Sequence, residues 1–288
     1  MRTTSWLSLG VALLAGSLFL PASGLRSSRA GEPAVEFVPD VTFATVGGQN
    51  VRLDLARPKG LSAPAPAIVV IHGGGWAMGS RRQHDPLIRA LAERGFVAVT
   101  VDYRLCPRCP WPAQLDDVRA AVRWLRVHAE EWQVDPKRIA ALGFSAGAHL
   151  ALLLGTMDAP VEGPSWKVNA VVSFFGPTDF TQDYGEIGTR LLDGVLGPAF
   201  SKDRRAASPI AYVDAADPPM LLFHGTQDPL VPYAQAVHMA DALTGAGVRG
   251  RVSLLLGAGH GWLGATWSET QEDAIRFLQR ELKASGTR

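Results

Sequence analysis

The sequence predicts an α/β protein: a mostly parallel sheet of about eight strands, helices on both faces and a small cap insertion. Three observations predict it. Continuous apolar runs such as Ala67-Ile68-Val69-Val70-Ile71 read as strands covered on both faces. Helical stretches with one apolar face alternate with those runs, the pattern of βαβ units. No composition shift, repeat or low-complexity stretch divides the 288 residues, so one large domain accounts for them after an N-terminal segment.

That segment comes first. Arg2 precedes an apolar stretch over residues 6–20, and small residues follow in Ala22-Ser23 and Ser28-Arg29-Ala30. A charged start, an apolar centre and a small-residue end form an export signal, expected over residues 1–30 and leaving the domain at 31–288. A secreted or periplasmic protein follows. The apolar stretch is shorter than the roughly 20 residues of a membrane helix, and a retained N-terminal anchor is the alternative to a cleaved signal. No later stretch is long and apolar enough, so no stable membrane association is expected.

Residues 32–40 read as a polar connection. Strands follow at 41–46 and 51–57, joined by Gly47-Gly48-Gln49-Asn50 as a hairpin connection. A Pro-rich stretch, 58–66, leads to the strand at 67–71. A helix over 85–94 presents Leu87, Ile88 and Leu91 on one face and stops at Gly95. The strand 96–101 precedes a strong helix at 114–129, with Leu115, Val118, Val122 and Leu125 as its stripe and Asp116 and Asp117 in its first turn. Strand 138–142 leads into helix 146–154, and strand 168–174 follows. The insertion at 181–213 is the cap, placed over the edge where ligands bind in such sheets. Strand 219–223, a helix near 233–243, strand 251–256 and a helix at 269–282 complete the chain.

With 28 basic and 27 acidic residues, the formal charge is +1. Neither that balance nor any basic run suggests a nucleic-acid partner.

Gly143-Phe144-Ser145-Ala146-Gly147 carries the strongest chemical signal. It follows an apolar strand and opens an apolar helix, the context of a nucleophile elbow in an α/β-hydrolase fold. Glycines permit the sharp turn that lifts Ser145 out of the sheet, and the helix N-terminus behind it favours negative charge. His72-Gly73-Gly74-Gly75-Trp76 follows the strand at 67–71. The backbone N–H groups of Gly73 or Gly74, with that of Ala146, are the expected oxyanion donors.

A serine hydroxyl needs a base. Of seven histidines, His72 belongs to the glycine loop, His149 lies one turn into the helix after Ser145, and His84, His128 and His238 lie on or near helices. His224 ends a strand. His260, in Gly257-Ala258-Gly259-His260-Gly261 after the last strand, is free to reach over the sheet edge and is the expected base. Chain order in this fold puts the acid between nucleophile and base, which selects Asp228 after the penultimate strand, with Asp179 as runner-up or pocket lining. Trp76, Asp179 and Trp262 are expected to contact substrate. No metal or cofactor is called for.

Cys106-Pro107-Arg108-Cys109 holds both cysteines. In an exported protein this is a disulfide candidate, with two reduced thiols as the alternative. Redox catalysis is disfavoured because Pro110-Trp111-Pro112 delays the helix that would lower a thiol pKa. A thiolate metal site would need further cysteines.

Those motifs, together with Asp102-Tyr103-Arg104-Leu105, Pro112-Ala113-Gln114-Leu115-Asp116-Asp117, Phe175-Gly176-Pro177-Thr178-Asp179 and His224-Gly225-Thr226-Gln227-Asp228, resemble the α/β-hydrolase esterases related to hormone-sensitive lipase and to bacterial acetyl and xylan esterases. The resemblance spans roughly residues 41–282. It implies Ser145, Asp228 and His260 as triad, and residues 103–116 beside the site. Two departures matter. Many relatives carry a small or acidic residue where Cys106-Pro107-Arg108-Cys109 stands, which implies a reshaped loop. The hormone-sensitive-lipase branch has a sizeable N-terminal cap, and the few residues before the first strand point to the more open, carbohydrate-esterase-like branch.

The expected activity is a serine carboxylesterase acting through an acyl-enzyme on short-chain or carbohydrate esters, acetylated or feruloylated. The rivals are an arylformamidase or peptidase on the same fold, because the triad does not separate amides from esters, and a non-catalytic binding module.

Overall fold

The computed structural model describes residues 35–158, 162–182 and 184–284. The expected export segment, 1–30, lies outside the described residues. Strand β1 (Val35–Val46) turns back into β2 (Gln49–Pro58) in antiparallel register. Val46 pairs with Gln49, so the connection is only Gly47-Gly48, both at positive φ, the backbone that a two-residue hairpin requires. The turn is two residues shorter than the four expected from the sequence. Within 32–40, expected to be a connection, β1 begins at Val35. Val35 and Phe37 pack against the core, and Val35 pairs with Pro58 across the hairpin, so alternation of apolar residues extends the strand.

The chain continues through β3 (Ala65–Ile71), α1 (Asp85–Glu93), β4 (Val97–Val101), α2 (Ala113–Val127) and a single turn, α3 (Ala129–Trp132). Next come β5 (Val134–Phe144), α4 (Ala146–Thr156) and β6 (Ala170–Phe174). The insertion holds α5 (Gly185–Leu196), α6 (Pro198–Lys202) and 3₁₀ turns at Arg205–Ala207 and Pro209–Tyr212. The last elements are β7 (Met220–Gly225), α7 (Ala234–Gly245), β8 (Gly250–Leu255) and α8 (Gly264–Ala284).

Eight strands form one sheet in the order β1-β2-β4-β3-β5-β6-β7-β8. β3 to β8 run parallel, and the β1–β2 hairpin is added at one edge, β2 pairing antiparallel with both β1 and β4. Side chains of β3 alternate between two cores. Ala67, Val69 and Ile71 join residues of α2, α4 and α7; Ile68 and Val70 join residues of α1 and α8. Helices therefore cover both faces, as expected from the unbroken apolar strands. Helix α4 is buried along its whole length, which accounts for a sequence apolar on every side.

The insertion is anchored rather than loose. Leu196 and Phe200 are fully buried, Trp111 N–H donates to Leu196 O at 3.1 Å, and Ile210 N–H donates to Thr178 O at 3.1 Å. Loops leaving β3, β5, β6, β7 and β8 all emerge at the C-terminal edge of the parallel strands, where such folds bind ligands.

Candidate active site

Ser145 stands between β5 and α4 with φ 51° and ψ −117°, a backbone that L-residues rarely adopt. Packing holds it there. Its N–H donates to Phe174 O at 2.9 Å, and the helix behind it sits against the end of β3. A Cβ on Gly147 would lie 2.2 Å from Ile71 O, so only glycine permits that approach.

His260 Nε2 lies 2.8 Å from Ser145 Oγ, and Nδ1 lies 2.7 Å from Asp228 Oδ2. The three residues singled out in the sequence thus form one chain of hydrogen bonds. The Asp228 side chain is fully buried. Burial alone would raise its pKa, but hydrogen bonds from His224 and His260 and from the Val231 N–H outweigh it and hold the carboxyl well below its usual range. Its Oδ1 accepts the N–H groups of Leu230 at 2.8 Å and Val231 at 2.9 Å. Gly225 lets the two loops meet: a Cβ there would lie 2.3 Å from Gly259 O and 2.4 Å from Ala258 O, in the loop that carries His260.

The glycine loop runs beside the elbow. A Cβ on Gly73 would lie 3.4 Å from Ser145 Cβ. Ala77 and Met78 N–H groups close the turn on Gly74 O at 3.1 and 3.0 Å. Gly73 therefore sits against Ser145, with Gly74 packed on Met78 beside it and Ala146 at the first position of α4. Tyr103 fastens the loop, stacking on His72 at 4.2 Å between centroids and donating its hydroxyl to His72 O at 3.1 Å. Farther along, buried Arg81 donates Nε to Asp54 Oδ1 at 2.9 Å and pairs with Asp40 and Asp102, tying the segment to β1, β2 and the residue after β4.

The expected substrate contacts fare differently. Trp76 is 5% exposed; its indole N–H donates to His149 Nδ1 at 3.2 Å, so the ring is core beneath the loop rather than a substrate surface. Asp179 accepts the N–H and hydroxyl of Thr181 at 2.9 and 2.6 Å and the Gln182 amide at 3.0 Å. Its carboxylate is consumed in capping its own turn, and it is not the acid partner of His260. Trp262 is half-buried and donates to Thr270 Oγ1 at 2.9 Å, standing behind Phe175 in a T-shaped contact.

Phe175 itself was not foreseen. Its ring centroid lies 4.7 Å from that of His260, and its φ is 46°. A phenylalanine after a buried strand gives no hint of left-handed backbone; only the hydrogen bond from its N–H to Phe223 O, at 2.7 Å, reveals the constraint. His149 is fully buried and donates Nε2–H to Ala207 O at 2.7 Å.

Cys106 and Cys109 stand as free thiols rather than the disulfide expected. Cys106 Sγ faces Cys109 O at 3.4 Å, and Gln114 Nε2 donates to Cys109 O at 2.6 Å and reaches Cys106 Sγ at 3.3 Å. The Gln114 amide thus bridges Cys106 and Cys109 and stabilises the loop without a cross-link. Among the described residues, no group of three or more His, Cys, Asp or Glu side chains is placed to hold a metal ion.

An eight-stranded sheet with a strained serine after β5, an acid after β7 and a histidine after β8 defines an α/β-hydrolase. Residues 53–243 match the BD-FAE family, and the chain belongs to that family of α/β-hydrolase esterases. It is 34% identical over 223 residues to Esterase LipQ of Mycobacterium tuberculosis, covering 72% of this chain and 53% of that protein. Carboxylesterase NlhH of the same organism is 44% identical over 156 residues, 51% of this chain and 49% of the relative. The chain spans about half the length of the curated relatives it matches. Among solved structures, native esterase Est2 of Thermogutta terrifontis is 30% identical with a TM-score of 0.73, covering 86% of this chain and 92% of that one.

Proposed function

We propose that the protein is a serine carboxylic ester hydrolase, exported by a leader over residues 1–30, that acts through an acyl-enzyme on short-chain acyl esters. The observation that carries this reading is the hydrogen-bonded line from Ser145 through His260 to Asp228. Ser145 Oγ attacks the ester carbonyl while His260 Nε2 takes its proton. The N–H groups of Gly73 or Gly74 and of Ala146 receive the oxyanion. His260 passes the proton to the departing alcohol, and water repeats the sequence to release the acid. Asp228 stays ionised, fixes the imidazole tautomer and stabilises the imidazolium.

Short acyl groups fit the compact insertion at 181–213, which is packed onto the core. Solved structures of the Thermogutta esterase with propionate and with butyrate bound, 30% identical to this chain, support the same range. The carbohydrate part of the reading, acetylated or feruloylated sugars, rests on the half-buried rings of Phe175 and Trp262 beside His260; Trp76 and Trp111 are buried and supply no stacking face. The test is paraoxon labelling followed by peptide mass analysis, beside p-nitrophenyl acetate turnover. One diethylphosphoryl group on Ser145 and loss of turnover are expected. An unlabelled Ser145 in a protein inert towards esters would reject the reading.

A further inference from the structure

We propose that His224 is a positioning residue for the acid of the triad, acting on the reaction through Asp228; this rests on the role of Ser145, His260 and Asp228 proposed above. His224 ends β7, four residues before Asp228, and both side chains are fully buried. Its Nε2 lies 2.9 Å from Val231 O and 3.3 Å from Asp228 Oδ2. Both neighbours can only accept, so Nε2 carries the ring proton and donates to the pair. Asp228 Oδ2 then faces two imidazole N–H groups, that of His224 from β7 and that of His260 from the loop after β8, at 2.7 Å. Oδ1 takes the Leu230 and Val231 N–H groups from its own loop. Those two histidines are the titratable groups in contact with the carboxylate; Ser145 lies one bond farther, on His260.

A second observation separates this role from space filling. His224 Nδ1 is buried without a hydrogen-bond partner among the described residues. Leaving a buried ring nitrogen unpaired is unfavourable, and an apolar side chain would fill the strand end without that cost. What the histidine alone supplies is the aimed Nε2–H. It fixes the torsion of Asp228 through both Oδ2 and the Val231 carbonyl, and it takes up part of the carboxylate's charge. Asp228 consequently orients His260 while the attraction between Asp228 and the imidazolium is moderated.

The experiment compares the full chain with His224→Leu, which removes the donor, and His224→Gln, whose amide nitrogen reaches where Nε2 stands. Thermal melts establish folding, and p-nitrophenyl acetate turnover is followed from pH 5 to 9. His224→Leu is expected to lower kcat about tenfold with KM changed less than about twofold. It is also expected to move the acidic limb of kcat/KM to higher pH by about half a unit, because the less compensated carboxylate favours the protonated base. His224→Gln is expected to recover most of kcat and return the limb. The proposal is overturned if folded His224→Leu keeps the wild-type kcat and limb, or if folded His224→Gln falls as far as His224→Leu. Should His224→Leu not fold, His224→Asn, too short to reach Asp228, must show the limb shift; an unmoved limb overturns the proposal. Wild-type protein that neither turns over ester nor takes paraoxon would instead reject the esterase reading.

Discussion

His260 Nε2 and Ser145 Oγ, 115 residues apart in sequence, lie 2.8 Å apart across the mouth of the sheet. In the proposed mechanism these two are nucleophile and base, and such a pair acts as a unit, so removing either removes most of what both supply. Ser145→Ala and His260→Ala are each expected to lower kcat on the order of 10⁴-fold or more, and Asp228→Asn somewhat less. Steady-state rates on p-nitrophenyl acetate check this. A His260→Ala enzyme retaining wild-type kcat while His224→Ala lost it would transfer the role of base to His224.

Gly225 gives a geometric test. Its would-be Cβ lies 2.3 Å from Gly259 O, and backbone cannot yield as a flexible side chain can. Gly225→Ala must displace the loop that carries His260. A displacement of about 1 Å costs about 10²-fold in rate, so kcat should fall by that order while KM stays within a few-fold. Wild-type kcat in a folded Gly225→Ala enzyme would show that the loop is not held by this contact.

How much of this could be read in the sequence depends on what each residue's neighbours are. The hydrogen-bonded grouping of Ser145, His260 and Asp228 was legible because each follows a strand in the chain order that this fold uses for a serine, an acid and a histidine. Inner strands such as β3 were legible because their apolar runs are unbroken, whereas the start of β1, with only alternate apolar residues, was not. Trp76 and Asp179 misled because exposure is set by tertiary contacts: the Trp76 partner, His149, is 73 residues away. Phe175 was invisible for a like reason, since its left-handed backbone is imposed by β7 through Phe223 O. The paired use of Asp228 by His224 and His260 needs both loops in place.

Buried His149 should make the protein acid-sensitive. Burial, only partly offset by its hydrogen bond to Ala207 O, lowers its pKa from 6.5 to about 4. Between those values the unfolded chain binds a proton that the folded protein refuses. Stability is therefore full above pH 6.5 and declines as pH falls towards 4, by up to about 1.4 kcal/mol per pH unit from this group. Urea melts at pH 7, 5.5 and 4.5 measure the slope, and His149→Gln, though less stable at pH 7, should flatten it. An equal slope in the variant would place the titration elsewhere.

The thiols offer a chemical check. Burial, and proximity to Cys109, push the Cys106 thiol above its ordinary pKa, while Cys109 is half-buried. In native protein isolated without reductant, iodoacetamide should modify Cys109 first and Cys106 only slowly; after unfolding, both should react. A mass two hydrogens lower, with neither thiol alkylated, would mean that the disulfide forms and that Gln114 is displaced from between the two residues.

Acyl-chain length is the remaining prediction. A long acyl chain needs an apolar tunnel, in which each buried CH₂ contributes about 0.8 kcal/mol to binding. The insertion that would build one is instead committed to the core. Leu196 and Phe200 are fully buried, and Ala207 O is bonded to His149 in α4. On the other flank, Phe175 and Trp262 close against His260 and Thr270. Among the described residues of these two walls, these apolar side chains are already committed to internal contacts. Across p-nitrophenyl esters of two to twelve carbons, kcat/KM is expected to peak between acetyl and butyryl and to fall beyond. Phe175→Ala should widen the site beside His260 and move the maximum towards longer chains. A wild-type maximum at eight carbons or more would require a tunnel that the packing of the insertion contradicts. An unmoved maximum in Phe175→Ala would mean that the acyl chain does not pass that ring.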